Sequence, residues 1–198
     1  MTSLEKTPES RAMDRSSPRV LVLGVGNILM RDDGIGVWAV RALAESASLP
    51  PNVRLLEGGI AGLRLLPEIT AADELLVIDA ARGDGPPGAV YRMELERSPG
   101  RRGPIFSAHE VGIAEVLAVA ELTGRRPRVR LLGVQPLETD RVGLQMSPAL
   151  RAAFPRILEA AVEELKAMDV AVVLNPKADD GELRYPAPWA EGGEAPHA

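Results

Sequence analysis

The run Arg19-Val-Leu-Val-Leu23 is apolar on consecutive positions and stops at Gly24. A strand of this kind buries both of its faces, so helices must cover it on two sides, as they do around a parallel sheet. The next segment fits that demand. The turn Gly24-Val-Gly-Asn-Ile-Leu-Met-Arg-Asp-Asp33 leads into a helical pattern in which Ile35, Trp38 and Leu43 share one face.

The alternation continues along the chain. Val53-Arg-Leu-Leu56 reads as a second strand, followed by the glycine turn Glu57-Gly-Gly-Ile-Ala-Gly62 and a short helix from Leu63 to about Ile69. Glu74-Leu-Leu-Val-Ile78 is a third strand, ending at Asp79. Val90-Tyr-Arg-Met-Glu-Leu95 alternates apolar and polar residues as an edge strand does. A helix is expected over Val111 to Leu122, a strand over Arg128 to Val134, and a last helix from the cap-and-proline pair Ser147-Pro148 to about Met168.

The expected fold is α/β: a three-layer sandwich with a twisted, mostly parallel sheet of about five strands and helices on both faces. Residues 1–18 read as a flexible lead-in, 19–174 as the folded domain, and 175–198, rich in Pro, Gly, Ala and acid, as a disordered tail.

Composition narrows the chemistry. The 198 residues contain no cysteine, which rules out disulfides, thiolate metal sites and a cysteine nucleophile and fits a reducing compartment. A net charge of −5 and only 3% aromatic residues argue against nucleic acid as a partner. No apolar run reaches the length of a membrane span and no apolar targeting region is seen near Met1, so a cytoplasmic protein is expected.

In open parallel sheets, ligands bind beyond the carboxyl ends of the strands. The turn ending at Asp33, the turn Glu57–Gly62 and Asp79 should therefore share one edge. His109 should join them at the start of its helix, where Ser107-Ala-His-Glu110 fits a capping box with Ser107 as cap. The positive end of the helix dipole favours neutral imidazole there, the form that binds metals. Each acid could equally serve as a cap or turn residue, Asp32 and Asp33 among them. Together, two carboxylates and an imidazole suit nickel or zinc better than calcium or magnesium.

Familiar alternatives are incomplete. In Gly24-Val-Gly-Asn-Ile-Leu29, Leu29 stands where a dinucleotide fingerprint needs its third glycine. His109-Glu110-Val-Gly-Ile113 lacks the second histidine of a zinc protease helix, and there is no Gly-x-Ser-x-Gly nucleophile elbow. A nucleotide-binding α/β protein, with Glu57 reaching a ribose, stays open on these residues.

As a set, these segments resemble the hydrogenase maturation proteases. Gly24-Val-Gly-Asn-Ile-Leu-Met-Arg-Asp-Asp-Gly-Ile-Gly36 is similar to that family's opening signature. Glu57-Gly-Gly-Ile-Ala-Gly62 resembles its second glycine turn, which more often opens with Asp. Leu76-Val-Ile-Asp-Ala80, Ser107-Ala-His-Glu-Val-Gly112 and Gly133-Val-Gln-Pro136 come in the family's order, so that the resemblance runs from about Arg19 to Val170.

The resemblance implies a phosphorylase/hydrolase-like fold and a peptidase. Its partner would be the precursor of a nickel–iron hydrogenase large subunit, and its product that subunit freed of a C-terminal peptide. It implies Asp33, Asp79 and His109 as catalytic and metal-binding residues, with Asp32 the nearest competitor of Asp33. The metal would be nickel, supplied by the precursor and used for recognition. Gly58, Gly59 and Gly62 would let the backbone approach an extended substrate. A chaperone that senses nickel without cutting is the alternative.

Overall fold

The computed structural model describes residues 17–95 and 108–174. The expected tail, the cap Ser107 and all but the last two residues of the expected lead-in lie outside these. In chain order the elements are β1 (Val20–Val25), a 3-10 turn (Arg31–Gly34), α1 (Ile35–Ser46), β2 (Ala47–Ser48) and β3 (Val53–Gly59). A second 3-10 turn (Gly62–Leu65), α2 (Leu66–Ala71), β4 (Glu74–Ala80), β5 (Val90–Leu95) and α3 (Ala108–Leu122) come next. The chain then forms β6 (Arg128–Val134), α4 (Pro148–Ala167) and β7 (Val173–Leu174).

Five strands make one sheet in the order β3-β1-β4-β6-β5. The first four are parallel, whereas β5 runs against β6 at the edge, with Val90 opposite Val134 and Leu95 opposite Val129. Strand alternation sorts the core into two halves. Val20 and Val22, Leu76 and Ile78, and Leu132 and Val134 face Trp38 and Leu43 of α1 and Phe154 and Ile157 of α4. Leu21 and Leu23, Leu75 and Val77, and Val129 and Leu131 face Ile69 of α2 and Val116 and Leu117 of α3. Both faces are thus covered, each buried aliphatic side chain contributing roughly 1.5–3 kcal/mol. The three-layer sandwich expected from the doubly apolar strands is the observed one.

Several boundaries shift: β4 runs on through Asp79 to Ala80, α3 is helical from Ala108, and the end of β3 also moves. The turn expected from Glu57 begins later, because β3 stays paired with β1 through Gly59. An irregularity at Gly24/Val25 absorbs one residue, so that Glu57 lies opposite Gly24 and Gly59 opposite Val25. Gly58 fits there because it packs on Leu23, where an added Cβ would come within 2.6 Å of Cδ1. Gly59, at φ +52, ends the strand.

Among the described residues, no helix is long and apolar enough to cross a membrane.

Candidate active site

The parallel strands end at Val25, Gly59, Ala80 and Val134, which fixes the carboxyl edge of the sheet. The connections 26–34 after β1, 60–65 after β3, 81–89 after β4 and 135–147 after β6 emerge from it. β5 turns back and ends at the opposite edge, yet α3 begins at the carboxyl edge again. It must, because the short connection 123–127 delivers its far end to the start of β6.

Asn27 shapes the first loop. Its side-chain oxygen accepts a bond from the Leu29 amide at 3.0 Å, and its own amide donates to Asp33 Oδ2 at 2.9 Å. Asp33 is half-buried, and the turn that carries it packs against β4, the strand of Asp79. Asp79 is 4% exposed, and its Oδ1 accepts from the Ala80 amide at 2.8 Å. His109 is the second residue of α3, in the helix turn at this same edge. Its side chain lies outside the described residues. Among those that are described, no group of three or more His, Asp or Glu is assembled closely enough to hold a metal ion.

Asp32, the competitor of Asp33, is engaged elsewhere. It is fully buried, and its carboxylate accepts four bonds: from the Leu137 and Glu138 amides at 3.0 Å each, from the Ser147 amide at 2.6 Å and from Ser147 Oγ at 2.8 Å. Charge-assisted bonds of this number satisfy a buried carboxylate completely. The sequence marks Asp32 and Ser147 only singly, as an acid in a turn and a helix cap. Nothing local in it joins two residues 115 apart.

The glycines of the second turn differ from one another. Gly58 is closely packed, whereas Gly62 takes φ +53 and a Cβ there would meet nothing within 4 Å. Glu57, which a nucleotide-binding reading would send to a ribose, is instead paired with Arg41 of α1, Nη2 to Oε2 at 2.8 Å. Around these residues the loops expose large apolar side chains: Leu29, Ile60, Leu63, Leu137 and Val142. Such a rim suits a polypeptide better than a small polar metabolite.

An open cavity of about 1070 Å³ lies at the other edge of the sheet, near the starts of β4 and β6. Its charges are largely paired with each other, Arg19 with Asp73, Arg128 with Glu74 and Arg130 with Glu94. It is remote from Asp33, Asp79 and the start of α3.

In sequence and fold the chain is similar to proteins of hydrogenase maturation. The family model described as "Hydrogenase maturation protease" matches residues 37–164. A hydrogenase expression/formation protein, HupD of Rhodobacter capsulatus, is 41% identical over 156 residues, which are 78% of this chain and 74% of that protein. The hydrogenase 2 maturation protease of Escherichia coli is 37% identical over 156 residues, 74% of this chain and 95% of that one. Among solved structures, the hydrogenase maturating endopeptidase HybD of E. coli superposes with a TM-score of 0.70 at 34% identity, covering 79% of this chain and 97% of the other.

Proposed function

The chain belongs to the hydrogenase maturation protease family and is a peptidase of hydrogenase large-subunit maturation; we propose that it acts on the nickel-loaded precursor of a nickel–iron hydrogenase large subunit and removes a C-terminal peptide in the cytoplasm. In this reading Asp33, Asp79 and His109 complete the coordination of nickel that the precursor already carries. The metal then serves as a template that brings the scissile peptide bond into the crevice at the carboxyl edge. Water adds across that bond, giving a carboxylate on the trimmed subunit and an amine on the released peptide.

The observation that carries the reading is the division of labour between two adjacent acids. Asp32 is consumed by the 135–147 loop, whereas Asp33 sits half-buried in a turn packed on the strand of Asp79. Two carboxylates from packed elements and a helix-start histidine form a donor set suited to nickel. The open backbone at Gly62 and the exposed Ile60 and Leu63 beside it support an extended substrate lying across the same edge.

Substitution of the histidine tests the template. His109→Ala and Asp79→Asn, each checked for a native fold, should leave a nickel-loaded precursor uncut over a period in which the unaltered protein processes it completely. Processing by His109→Ala at the full rate would remove the histidine from the mechanism and the template with it.

A further inference from the structure

The loop between β6 and α4 is tied to the turn of Asp33 far more heavily than a surface crossing requires. Beyond the four bonds to the Asp32 carboxylate, the Asp32 amide donates to the Glu138 carbonyl at 3.1 Å. The Arg31 amide donates to the Gly143 carbonyl at 3.0 Å, and the Gly143 amide to the Leu29 carbonyl at 2.9 Å. The Arg31 guanidinium pairs with Glu138 and reaches the Gln145 carbonyl at 3.4 Å, both in this one loop. Arg31 also holds φ +50, a left-handed conformation that a residue with a side chain seldom adopts. Ser147 closes the arrangement, its Oγ donating to Asp32 while accepting from the Leu150 amide at 3.3 Å to cap α4.

In the tight 31–34 turn, Asp32 and Asp33 are consecutive, so anchoring the first side chain inward fixes the direction of the second. We propose that Asp32 is a positioning residue for the cleavage reaction: by locking the 31–34 turn to the 137–147 loop, it sets the geometry in which Asp33 meets the metal of the precursor. This rests on the reading of Asp33 as a metal-facing residue. Groups that orient metal ligands without touching the metal typically change affinity or activity by about 10–100-fold when removed. An amide at position 32 would keep the size of the side chain, but its NH2 would face either the single donor at Oδ1 or the three donors at Oδ2. At least one of the four bonds then becomes a clash of donors, and the charge that strengthens the others is lost.

The test compares Asp32→Asn, Ser147→Ala and Asp33→Asn with the unaltered full-length protein. Two quantities are read: calorimetric titration with nickel(II) alone, and KM for a nickel-loaded precursor. A residue that only supports folding would reduce the number of sites titrated, not the affinity of each. The expected result for Asp32→Asn is about tenfold weaker nickel binding at unchanged stoichiometry, with KM raised by about tenfold. Ser147→Ala, which removes one of the four bonds, should shift both in the same direction by about threefold, and it carries the test if Asp32→Asn does not fold. Nickel affinity and KM within twofold of the unaltered protein in folded Asp32→Asn, or a loss of stoichiometry alone, would overturn the proposal. Asp33→Asn separates the two levels: if it binds nickel and cleaves normally, the role of Asp33 fails and this inference fails with it. If Asp33→Asn is inactive while Asp32→Asn is unaltered, only the positioning role is lost.

Discussion

Gly36 and Ile78 meet backbone to backbone: a Cβ on Gly36 would stand 2.0 Å from the Ile78 carbonyl oxygen and 2.5 Å from that of Val25. Neither oxygen can retreat without moving a central strand. The first turn of α1 is therefore pressed onto the sheet immediately before Asp79 and shortly after Asp33. This contact joins the two acids that the proposed mechanism uses.

Gly36→Ala should accordingly damage both stability and activity. Forcing a methyl group into this contact costs about 2–3 kcal/mol, as overpacking in a dense interior does. Urea unfolding should show the lower midpoint, and cleavage measured where the variant is fully folded should still be slower, because the turn of Asp33 shifts relative to β4. Normal kinetics in the folded variant would mean that the contact serves packing alone.

The three glycines at and beyond the end of β3 make a contrasting set. Gly62→Ala meets no neighbour and incurs only the left-handed strain of φ +53, about 1 kcal/mol. Gly58→Ala must displace the fully buried Leu23 and should cost more. If the substrate backbone passes over Gly62, its alanine variant raises KM by about fivefold or more, beyond anything its small stability loss explains. An unchanged KM would reduce Gly62 to a turn former.

Leu29 and Ile60 are 51% and 69% exposed, so replacing either with Ser should change stability by no more than about 0.5 kcal/mol. As members of the apolar rim they should nonetheless raise KM for the precursor, and together more than singly. Equal KM values would place the substrate elsewhere on this edge.

Away from the site, Asp73 has its pKa lowered to about 2, chiefly because Arg19 donates hydrogen bonds to the carboxylate from its side chain and backbone amide, and additionally through its charge. The folded value lies below the ordinary one, so the pair stabilises the protein above about pH 4, and that contribution fades as pH falls toward 2. Both side chains are about half exposed, and solvent screening keeps the effect small. Asp73→Asn should lower the urea midpoint slightly at pH 7, with the difference shrinking below pH 4. A difference that grew toward low pH would contradict the pairing.

The sheet is legible in the sequence because strands buried on both faces leave little choice of architecture: β1 and the middle of β4 read as continuous apolar runs, and β5 as an alternating edge. The end of β3 is not, since Gly58 and Gly59 look like turn residues until Leu23 and Val25 are seen beside them. Asp33 and Asp79 can be assigned to one edge from strand direction alone. The different fates of Asp32 and Asp33 cannot, because the deciding partners, Leu137, Glu138 and Ser147, come from a loop more than a hundred residues downstream. Such pairings are made by tertiary structure and leave no local periodicity to read.

In the proposed mechanism this peptidase trims a precursor and uses the precursor's nickel to recognise it. The most direct test is the intact mass of a cognate hydrogenase large-subunit precursor before and after incubation with this protein, in nickel-loaded and nickel-free forms. Loss of a C-terminal peptide from the nickel-loaded form alone is the expected result; equal cleavage of both forms, or cleavage of neither, would contradict the mechanism.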